Sequence, residues 1–269
     1  MIIQHNISAI NSYRNLGINQ SGLNKNLEKL SSGYRINRAG DDAAGLAISE
    51  SMRSQINGLN QATKNAQDAI GLIQTVEGAL TETHSMLQRL TTLASQSANG
   101  TYNTVARGNL QQEVKDLLAE IDRIANNTDF NGIKPIKQSG SMTFQIGPSA
   151  QETIKVSQSA MTSKSLGISS INVKTLSGGN AAIDTIKSAI NKVSTYRATL
   201  GAAQNRLEHT VNNLKVSSEN ITAAESRIRD TDMADEITAF TKNNILLQAS
   251  QSMLAQSNSV PQSILSLLG

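Results

Sequence analysis

The stretch that decides the fold is "LNQATKNAQDAIGLIQTVEGALTETHSMLQRLTTLA", residues 59–94, because its apolar residues recur at every seventh position. The series comprises Leu59, Ala66, Ile73, Leu80, Leu87 and Ala94, flanked by Ala62, Ala69, Val76 and Leu90. Apolar spacings of three and four sustained this long predict a long helix that packs as a coiled coil or bundle. The alternative is an ordinary globular protein with amphipathic helices, since spacing alone does not identify the partner of the stripe.

The same periodicity continues on both sides of this stretch. Towards the N-terminus the series comprises Ile2, Ala9, Leu16, Leu23 and Leu30, with Tyr13 and Leu27 in the companion positions. Beyond residue 94 the series are Leu110, Val114, Leu117, Ile121 and Ile124, then Ile186, Val193, Leu200, Leu207, Leu214 and Ile221, and finally Met233, Phe240, Leu247 and Leu254. Because both chain ends carry heptad helices, we expect the two ends to pack together.

The middle of the chain has a different pattern. Residues 141–158, "SMTFQIGPSAQETIKVSQ", alternate apolar and polar side chains on either side of a Gly-Pro turn, which is typical of a β-hairpin. Residues 175–182, "TLSGGNAA", are interpreted as a flexible connection into the next helix. The predicted fold is therefore mainly α, with long heptad helices forming coiled-coil or bundle shells from both chain ends and a β-hairpin region at about 132–175.

The composition argues against an enzyme. Aromatic residues make up 3% of the 269, and tryptophan and cysteine are absent, which excludes disulfides, thiolate metal sites and cysteine nucleophiles. The three histidines, His5, His84 and His209, have no ligand-like spacing. Charge is nearly balanced, 24 Lys+Arg against 21 Asp+Glu, with no basic run that would indicate a nucleic-acid partner. We predict no catalytic site, no metal and no cofactor.

The acidic run "RDTDMADE", residues 229–236, invites a calcium interpretation. Counted from Asp230, the sixth position is Asp235, where an EF-hand has Gly, and the twelfth is Thr241, where it has Glu. The run is better explained as a helix start with Asp232 near the N-cap.

The two ends carry unusually few charges for exposed helices. Residues 1–30 contain four charged side chains and residues 237–269 contain one, although both arms are rich in Asn, Gln and Ser. Uncharged polar side chains are buried against protein at lower cost than charges, and isolated helices are marginal in water. We therefore expect the arms to be mobile until a partner buries their apolar seam. We see neither a run of about 20 apolar residues for a membrane helix nor an ordinary secretory signal.

Long motifs spread over nearly the whole chain resemble those of the bacterial flagellin family. In chain order they are "LEKLSSGYRINRAGDDAAGLAIS" (27–49), "NAQDAIGLIQTVEGALTETHSMLQRL" (65–90), "EIDRIANNTDFNG" (120–132), "FQIG" (144–147), "LGAAQNRLEHTVNNL" (200–214), "SENITAAESRIRDTDMADE" (218–236) and "AQSNSVPQSILSLL" (255–268).

This resemblance implies a discontinuous architecture. An inner domain would comprise residues 1–43 plus 225–269, and residues 44–224 would form a second-shell bundle with the hairpin. The bridge from about Lys174 to Asn180 is too short for the outer domains of many flagellins, which implies a minimal form. A joint between the shells would contact neighbouring subunits through Arg35, Arg38, Asp41 and Asp42. The terminal assembly seam would comprise Leu16, Leu23, Leu30, Met233, Phe240, Leu247 and Leu254.

The function implied by the resemblance is that of a structural subunit that self-assembles into the extracellular flagellar filament for motility. The subunit would be exported through the flagellar type III apparatus without a cleaved signal peptide. Its partners would be copies of itself, the flagellin export chaperone, and the hook-associated and cap proteins, with no nucleic acid and no membrane insertion. Two alternatives stay open. A hook–filament junction protein would share the helical ends but form a short ring. An enzyme would need a hydrolase module inserted in the outer region, as in some flagellins, and this chain has no room for one.

The resemblance also implies recognition by the innate immune receptor TLR-five. The matching segments are "LQRLTTLASQSAN" (87–99) and "NLQQEVKDL" (109–117), and the positions carried over are Arg89, Leu93 and Glu113. The chain departs from the pattern at Thr92, where receptor-active relatives commonly carry Glu.

Overall fold

In a computed structural model of the chain, residues 6–268 are described, with the backbone alone for residues 262 and 264–268. Ile2 and His5 lie outside the described residues. Across this range the helices and strands are α1 (Ile7–Ser32), α2 (Ala43–Ser97), α3 (Thr104–Asn127), β1 (Gly140–Gln145), β2 (Thr153–Gln158), α4 (Ser163–Leu166), α5 (Leu176–Arg229) and α6 (Met233–Leu268). The predicted mainly α fold with a small β region is confirmed.

The chain packs as two compact units. One comprises residues 1–56 and 219–269, and the other comprises residues 57–218. The domain boundaries expected above, at 43/44 and 224/225, concern shells of a filament and stay a prediction.

The unit of residues 57–218 is built on the heptad stripes of α2 and α5. The α2 series from Leu59 to Ala94 and the α5 series from Ile186 to Leu214 are buried, and most of their residues join side chains of α3 in one core. On α3 the buried positions are Gln111, Val114, Leu118, Ile121 and Ala125. Burial of each large apolar side chain contributes roughly 1.5–3 kcal/mol. The stripes of this unit therefore find their partners within the same chain.

The predicted β-hairpin is confirmed and lies on this core. β1 and β2 pair antiparallel with Met142 opposite Val156 and Phe144 opposite Ile154. Ile154 and Val156 are buried, because alternate side chains of β2 point to the core. The tip is held against α2, where Asn65 Nδ2 donates to the Gln145 carbonyl oxygen at 3.1 Å.

The interpretation of residues 175–182 as a flexible connection is wrong, because α5 begins at Leu176. The Thr175 hydroxyl accepts a hydrogen bond from the Gly178 amide (3.1 Å) and so caps the helix start. A Cβ atom at Gly179 would lie 2.9 Å from the Ala98 nitrogen and 3.2 Å from the Ala94 carbonyl oxygen. The glycine is there because it permits close approach of α5 to the end of α2, a tertiary constraint that overrides its low helix propensity.

Candidate functional site

The expected pairing of the two chain ends is present as an antiparallel pair of α1 and α6. Asn6 Nδ2 donates to the Ser257 carbonyl oxygen (2.8 Å), and Asn19 Nδ2 donates to Ser250 Oγ (2.9 Å). At the other end of the pair, Lys29 Nζ lies 3.6 Å from Glu236 Oε2. The N-terminal part of α1 therefore contacts the C-terminal part of α6, and the C-terminal part of α1 contacts the N-terminal part of α6.

The seam between α1 and α6 alternates apolar and polar residues. The apolar positions are the half-buried Leu16, Leu23, Leu30, Phe240, Leu247 and Leu254. The companion positions between them are Ser12, Asn19, Asn26, Glu236, Asn243, Ser250 and Ser257. Sequence analysis missed these polar positions, although their seven-residue spacing was visible in the sequence. The expected seam residues therefore lie in a seam inside the subunit, with one exception. Met233 is exposed at the start of α6.

The companion positions assigned above to Tyr13 and Leu27 are corrected by the structure. Tyr13 is 69% exposed and Leu27 is 47% exposed, so both lie outside the α1–α6 seam. With Gln20 they form a second seven-residue stripe on the solvent side of α1. Leu246, Met253 and Val260 form an equally spaced exposed stripe on α6.

The α1–α6 pair is shallowly packed. Asn26 is the one buried residue of α1, and no described side chain of α6 is buried. The amide nitrogen of Asn26 and the Oε1 atom of Glu236 are covered without a hydrogen-bond partner in the described residues. An unpartnered buried polar atom costs about 1–3 kcal/mol. Exposed apolar stripes beside a weak seam are typical of an interaction surface.

The joint follows α1 and connects it to the turn between α5 and α6. Gly33 ends α1 in the left-handed region (φ 74°). The Arg35 amide donates to the Arg229 carbonyl oxygen (2.7 Å), and the Thr231 amide donates to the Gly33 carbonyl oxygen (3.0 Å). The Arg229 guanidinium stacks on the Tyr34 ring at 4.8 Å. Sequence analysis did not identify Tyr34 or Arg229, because their contact depends on a bridge between distant segments.

All four predicted joint residues have partners within the chain. Arg35 Nη2 donates to the Ile228 carbonyl oxygen (2.6 Å), and Arg38 Nε donates to Glu28 Oε1 (2.8 Å). Asp42 Oδ1 accepts from the Gly45 amide (2.8 Å) and caps the start of α2. Their expected contacts with neighbouring subunits stay a prediction.

Asp41 organises the loop before α2. Its Oδ2 atom accepts hydrogen bonds from the Arg38 amide (3.0 Å) and the Asn37 amide (3.2 Å). These two donors, the Arg38 amide first, lower the pKa of the Asp41 carboxyl below its ordinary value. The ionised carboxylate therefore holds the loop conformation.

The receptor patch expected from the resemblance is partly exposed. Arg89 on α2 pairs with Glu113 on α3, with 2.7 Å between Nε and Oε1, and both side chains are about half exposed. Leu93 is 0% exposed and belongs to the core, so the expectation that it contacts a receptor directly is corrected. Thr92 is exposed, and its hydroxyl donates to the Gln88 carbonyl oxygen (3.2 Å).

The described part of the chain has no set of three or more His, Asp or Glu side chains placed to hold a metal ion. The Asp232 carboxylate accepts from the Ala234 amide (2.9 Å) and the Asp235 amide (3.3 Å), so the predicted helix start is confirmed. Within residues 6–268, none of the helices has the length and apolar character needed to cross a membrane.

Comparison with known proteins identifies the family. The model of the bacterial flagellin N-terminal helical region matches residues 3–140, and that of the C-terminal helical region matches residues 183–268. The chain is 50% identical to a flagellin of Bacillus subtilis (strain 168) and 49% identical to a flagellar filament 33 kDa core protein of Treponema phagedenis, with 100% of both chains covered in each case. It is similar to the crystal structure of Bacillus cereus flagellin, with a TM-score of 0.51 and 33% identity over 60% of this chain and 94% of that one. The chain therefore belongs to the bacterial flagellin family and is a structural subunit of a flagellar filament, not an enzyme.

Proposed function

We propose that the α1–α6 pair is the element through which subunits polymerise into the extracellular filament. The observation that carries this proposal is the shallow packing of the pair, which leaves two apolar stripes, Tyr13–Leu27 on α1 and Leu246–Val260 on α6, in contact with solvent. The matching pair of a neighbouring copy offers the same stripes and would cover them.

The polar character of the pair suits this role. Lys242 is the single charged residue in 237–269, so covering α6 desolvates few charges. Asn and Ser side chains bury at lower cost and supply hydrogen bonds to a neighbour. Because a lone pair of long helices with a half-polar seam is marginal, we expect α1 and α6 to become fully ordered only on assembly.

Amide hydrogen exchange of monomer and repolymerised filament tests this coupling. We expect α1 and α6 to exchange quickly in the monomer and slowly in the filament, while the buried parts of α2 and α5 are protected in both. Strong protection of residues 7–30 in a dilute monomer would contradict the proposal.

Substitution of an exposed stripe residue tests the surface itself. Met253→Gln should leave the monomer's thermal stability unchanged and reduce filament formation, because Met253 is 63% exposed in the subunit. Val105→Gln is the matched control, since Val105 is 73% exposed and lies on α3. Equal loss of assembly in both variants would remove the special role of the terminal pair. Electron microscopy of the same samples separates micrometre filaments from the short rings of a junction protein.

The terminal helices would also serve the steps before and after polymerisation. We propose that the export chaperone covers α6 before export, that export occurs without a cleaved signal peptide, and that the hook-associated and cap proteins meet the same helices at the two filament ends. Supporting this is the exposed Leu246–Val260 stripe, which would need a cover before polymerisation. Co-purification with the chaperone of wild type, but not of a chain lacking α6, would support the first step.

A second function proposed for the subunit is recognition by TLR-five through Arg89 and Glu113. The pair lies on neighbouring helices with its charged groups about half exposed, which suits a polar contact at the rim of an interface. Thr92 in place of Glu removes one carboxylate next to Arg89, and we expect weaker recognition than in relatives that carry Glu.

Reporter-cell signalling by Arg89→Ala tests receptor recognition. Arg123→Ala is the matched control, because Arg123 forms an equally exposed ion pair with Glu120 on α3. Signalling should fall in the first variant alone, with filament yield checked in parallel. Equal signalling by both variants would refute a role of Arg89 in the receptor contact.

A further inference from the structure

The sequence contains three Asn-Gly steps, Asn57-Gly58, Asn99-Gly100 and Asn131-Gly132, and the structure gives each a different environment. Asn-Gly is chemically the least stable asparagine step in proteins. The glycine amide nitrogen attacks the asparagine side-chain carbonyl carbon, ammonia leaves, and a five-membered succinimide forms. Water then opens the ring to aspartate or isoaspartate. A missing Cβ on the following residue leaves room for this attack.

The step at Asn57 lies inside α2, where the Gly58 amide is a helix donor. Gly58 is also partly covered by the hairpin loop, because a Cβ at this position would lie 2.8 Å from Pro148 Cβ. The helix holds the nitrogen in a hydrogen bond and keeps the backbone out of the ring-forming conformation. This step is therefore protected.

The step at Asn131 is exposed but protected in another way. Asn131 and Gly132 both have positive φ angles, 52° and 82°. Mutual hydrogen bonds between Phe130 and Ile133 (2.9 and 3.0 Å) close this turn. The Gly132 amide donates to Asp129 Oδ2 at 3.0 Å. A carboxylate bonded to this N–H opposes its deprotonation, which the attack requires.

At the Asn99 step the neighbouring charge is positive and favours the reaction, whereas the carboxylate at the Asn131 step opposes it. Both residues are exposed in the turn between α2 and α3, and the Gly100 amide has no protein acceptor in the described part of the chain. Arg107 Nη2 donates to the Asn99 carbonyl oxygen at 3.1 Å. That oxygen carries much of the charge when the Gly100 amide loses its proton, so the guanidinium stabilises the nucleophile. The Thr101 amide donates to Asn99 Oδ1 at 3.3 Å and would stabilise the oxyanion formed by attack.

We propose that Asn99 is the deamidation site of the folded subunit, with Arg107 as the residue that promotes the reaction, while the other two steps are protected by the fold. The product changes the turn. Isoaspartate routes the backbone through the former side-chain carbonyl, which adds a methylene, and turns the carbonyl that Arg107 holds into a free carboxylate. Aspartate keeps the backbone and places a new side-chain carboxylate on residue 99. Arg107 also holds the C-terminal end of α2 through the Ser97 carbonyl oxygen (3.0 Å), so the modification alters a helix end.

Peptide mapping by mass spectrometry after incubation at neutral pH tests the proposal on the full-length monomer. We expect Asn99 to convert at least about tenfold faster than Asn57 or Asn131 in the folded chain, which corresponds to about 1.4 kcal/mol between activation barriers. In urea the three steps should convert at similar rates. Comparable conversion of all three in the folded chain, or conversion led by Asn131, would overturn the proposal.

Two variants separate the chemistry from the fold. Gly100→Ala should nearly abolish conversion at Asn99 without changing the melting temperature, because a Cβ at Gly100 meets no atom within 4 Å. Arg107→Gln should slow conversion at Asn99 in the folded chain and leave the rate in urea unchanged. An unchanged folded rate in Arg107→Gln would refute the promoting role, and its melting temperature is measured in parallel to verify folding.

Discussion

Gly179 provides the sharpest test of the packing in the unit of residues 57–218, because helix propensity and the observed packing predict opposite signs for its substitution. Gly179 lies in the first turn of α5. Replacing Gly by Ala in a helix ordinarily stabilises by roughly 0.5–1 kcal/mol, and this is the upper limit of the gain expected so close to the helix start. At Gly179, however, the new Cβ would lie 2.9 Å from the Ala98 nitrogen and 3.2 Å from the Ala94 carbonyl oxygen. Both are backbone atoms of α2 or its end, which cannot rotate away as a side chain can.

The expected magnitude follows from these two opposing effects. Overpacking against rigid neighbours costs about 1–3 kcal/mol. Subtraction of the propensity gain leaves limits of about 0 and 2.5 kcal/mol. Because the closest contact is with a backbone atom at 2.9 Å, we expect Gly179→Ala to destabilise by about 1–2 kcal/mol. For a chain of this size each kcal/mol corresponds to about 2–4 °C in melting temperature.

Urea and thermal unfolding of the monomer, followed by circular dichroism, measure this effect. Gly201→Ala on the same helix is the matched control, since a Cβ there meets no atom within 4 Å. We expect the control to stabilise by roughly 0.5–1 kcal/mol. A Gly179→Ala variant as stable as wild type or more stable would refute the close approach of α5 to the end of α2.

Three further predictions concern the joint, the core and the seam. The joint should loosen in acid, because the Asp41 pKa is lowered in the folded chain. The stabilisation from Asp41 is complete at pH values above the pKa of an Asp side chain in the unfolded chain, about 3.9. It is lost as the pH falls from there through the lower pKa of Asp41 in the folded chain. Acid should therefore reduce the protection of the Arg38 amide against hydrogen exchange, and Asp41→Asn should remove this dependence on pH. An unchanged dependence in the variant would contradict the prediction. Gln111→Ala should lower the free energy of unfolding by about 1–3 kcal/mol, because it leaves the Val173 amide without its buried acceptor. A loss below about 0.5 kcal/mol, the level of an ordinary surface substitution, would argue against this bond. Leu254→Ala should cost about 2–5 kcal/mol per subunit where assembly buries the seam, and filaments of normal yield and heat stability would count against burial.

The helices and the hairpin could be predicted because their signals are local. The spacing of α2 and α5 and the alternation in β1 and β2 reflect which face each element buries, and each is written in consecutive residues. Asp232 was found for the same reason, because a cap and its helix are adjacent in sequence.

The errors fall where two distant segments meet. Leu93 is apolar on a partly exposed helix, and its place in the core depends on the elements that pack against α2. Tyr13 matched the spacing of the α1 series, yet the rotation of α1 against α6 brings Ser12 and Asn19 to the seam. The stacking of Arg229 on Tyr34 has no local signature at all.

By itself the sequence determined that this chain forms long amphipathic helices with a small hairpin and nearly uncharged ends, since periodicity and composition are properties of neighbouring residues. Only the tertiary structure decided which apolar stripes are buried within the subunit and which remain exposed. The physical reason is that burial depends on what lies across the interface. The same heptad pattern is buried from Leu59 to Ala94 of α2 and from Ile186 to Leu214 of α5, but it is only partly covered on α1 and α6.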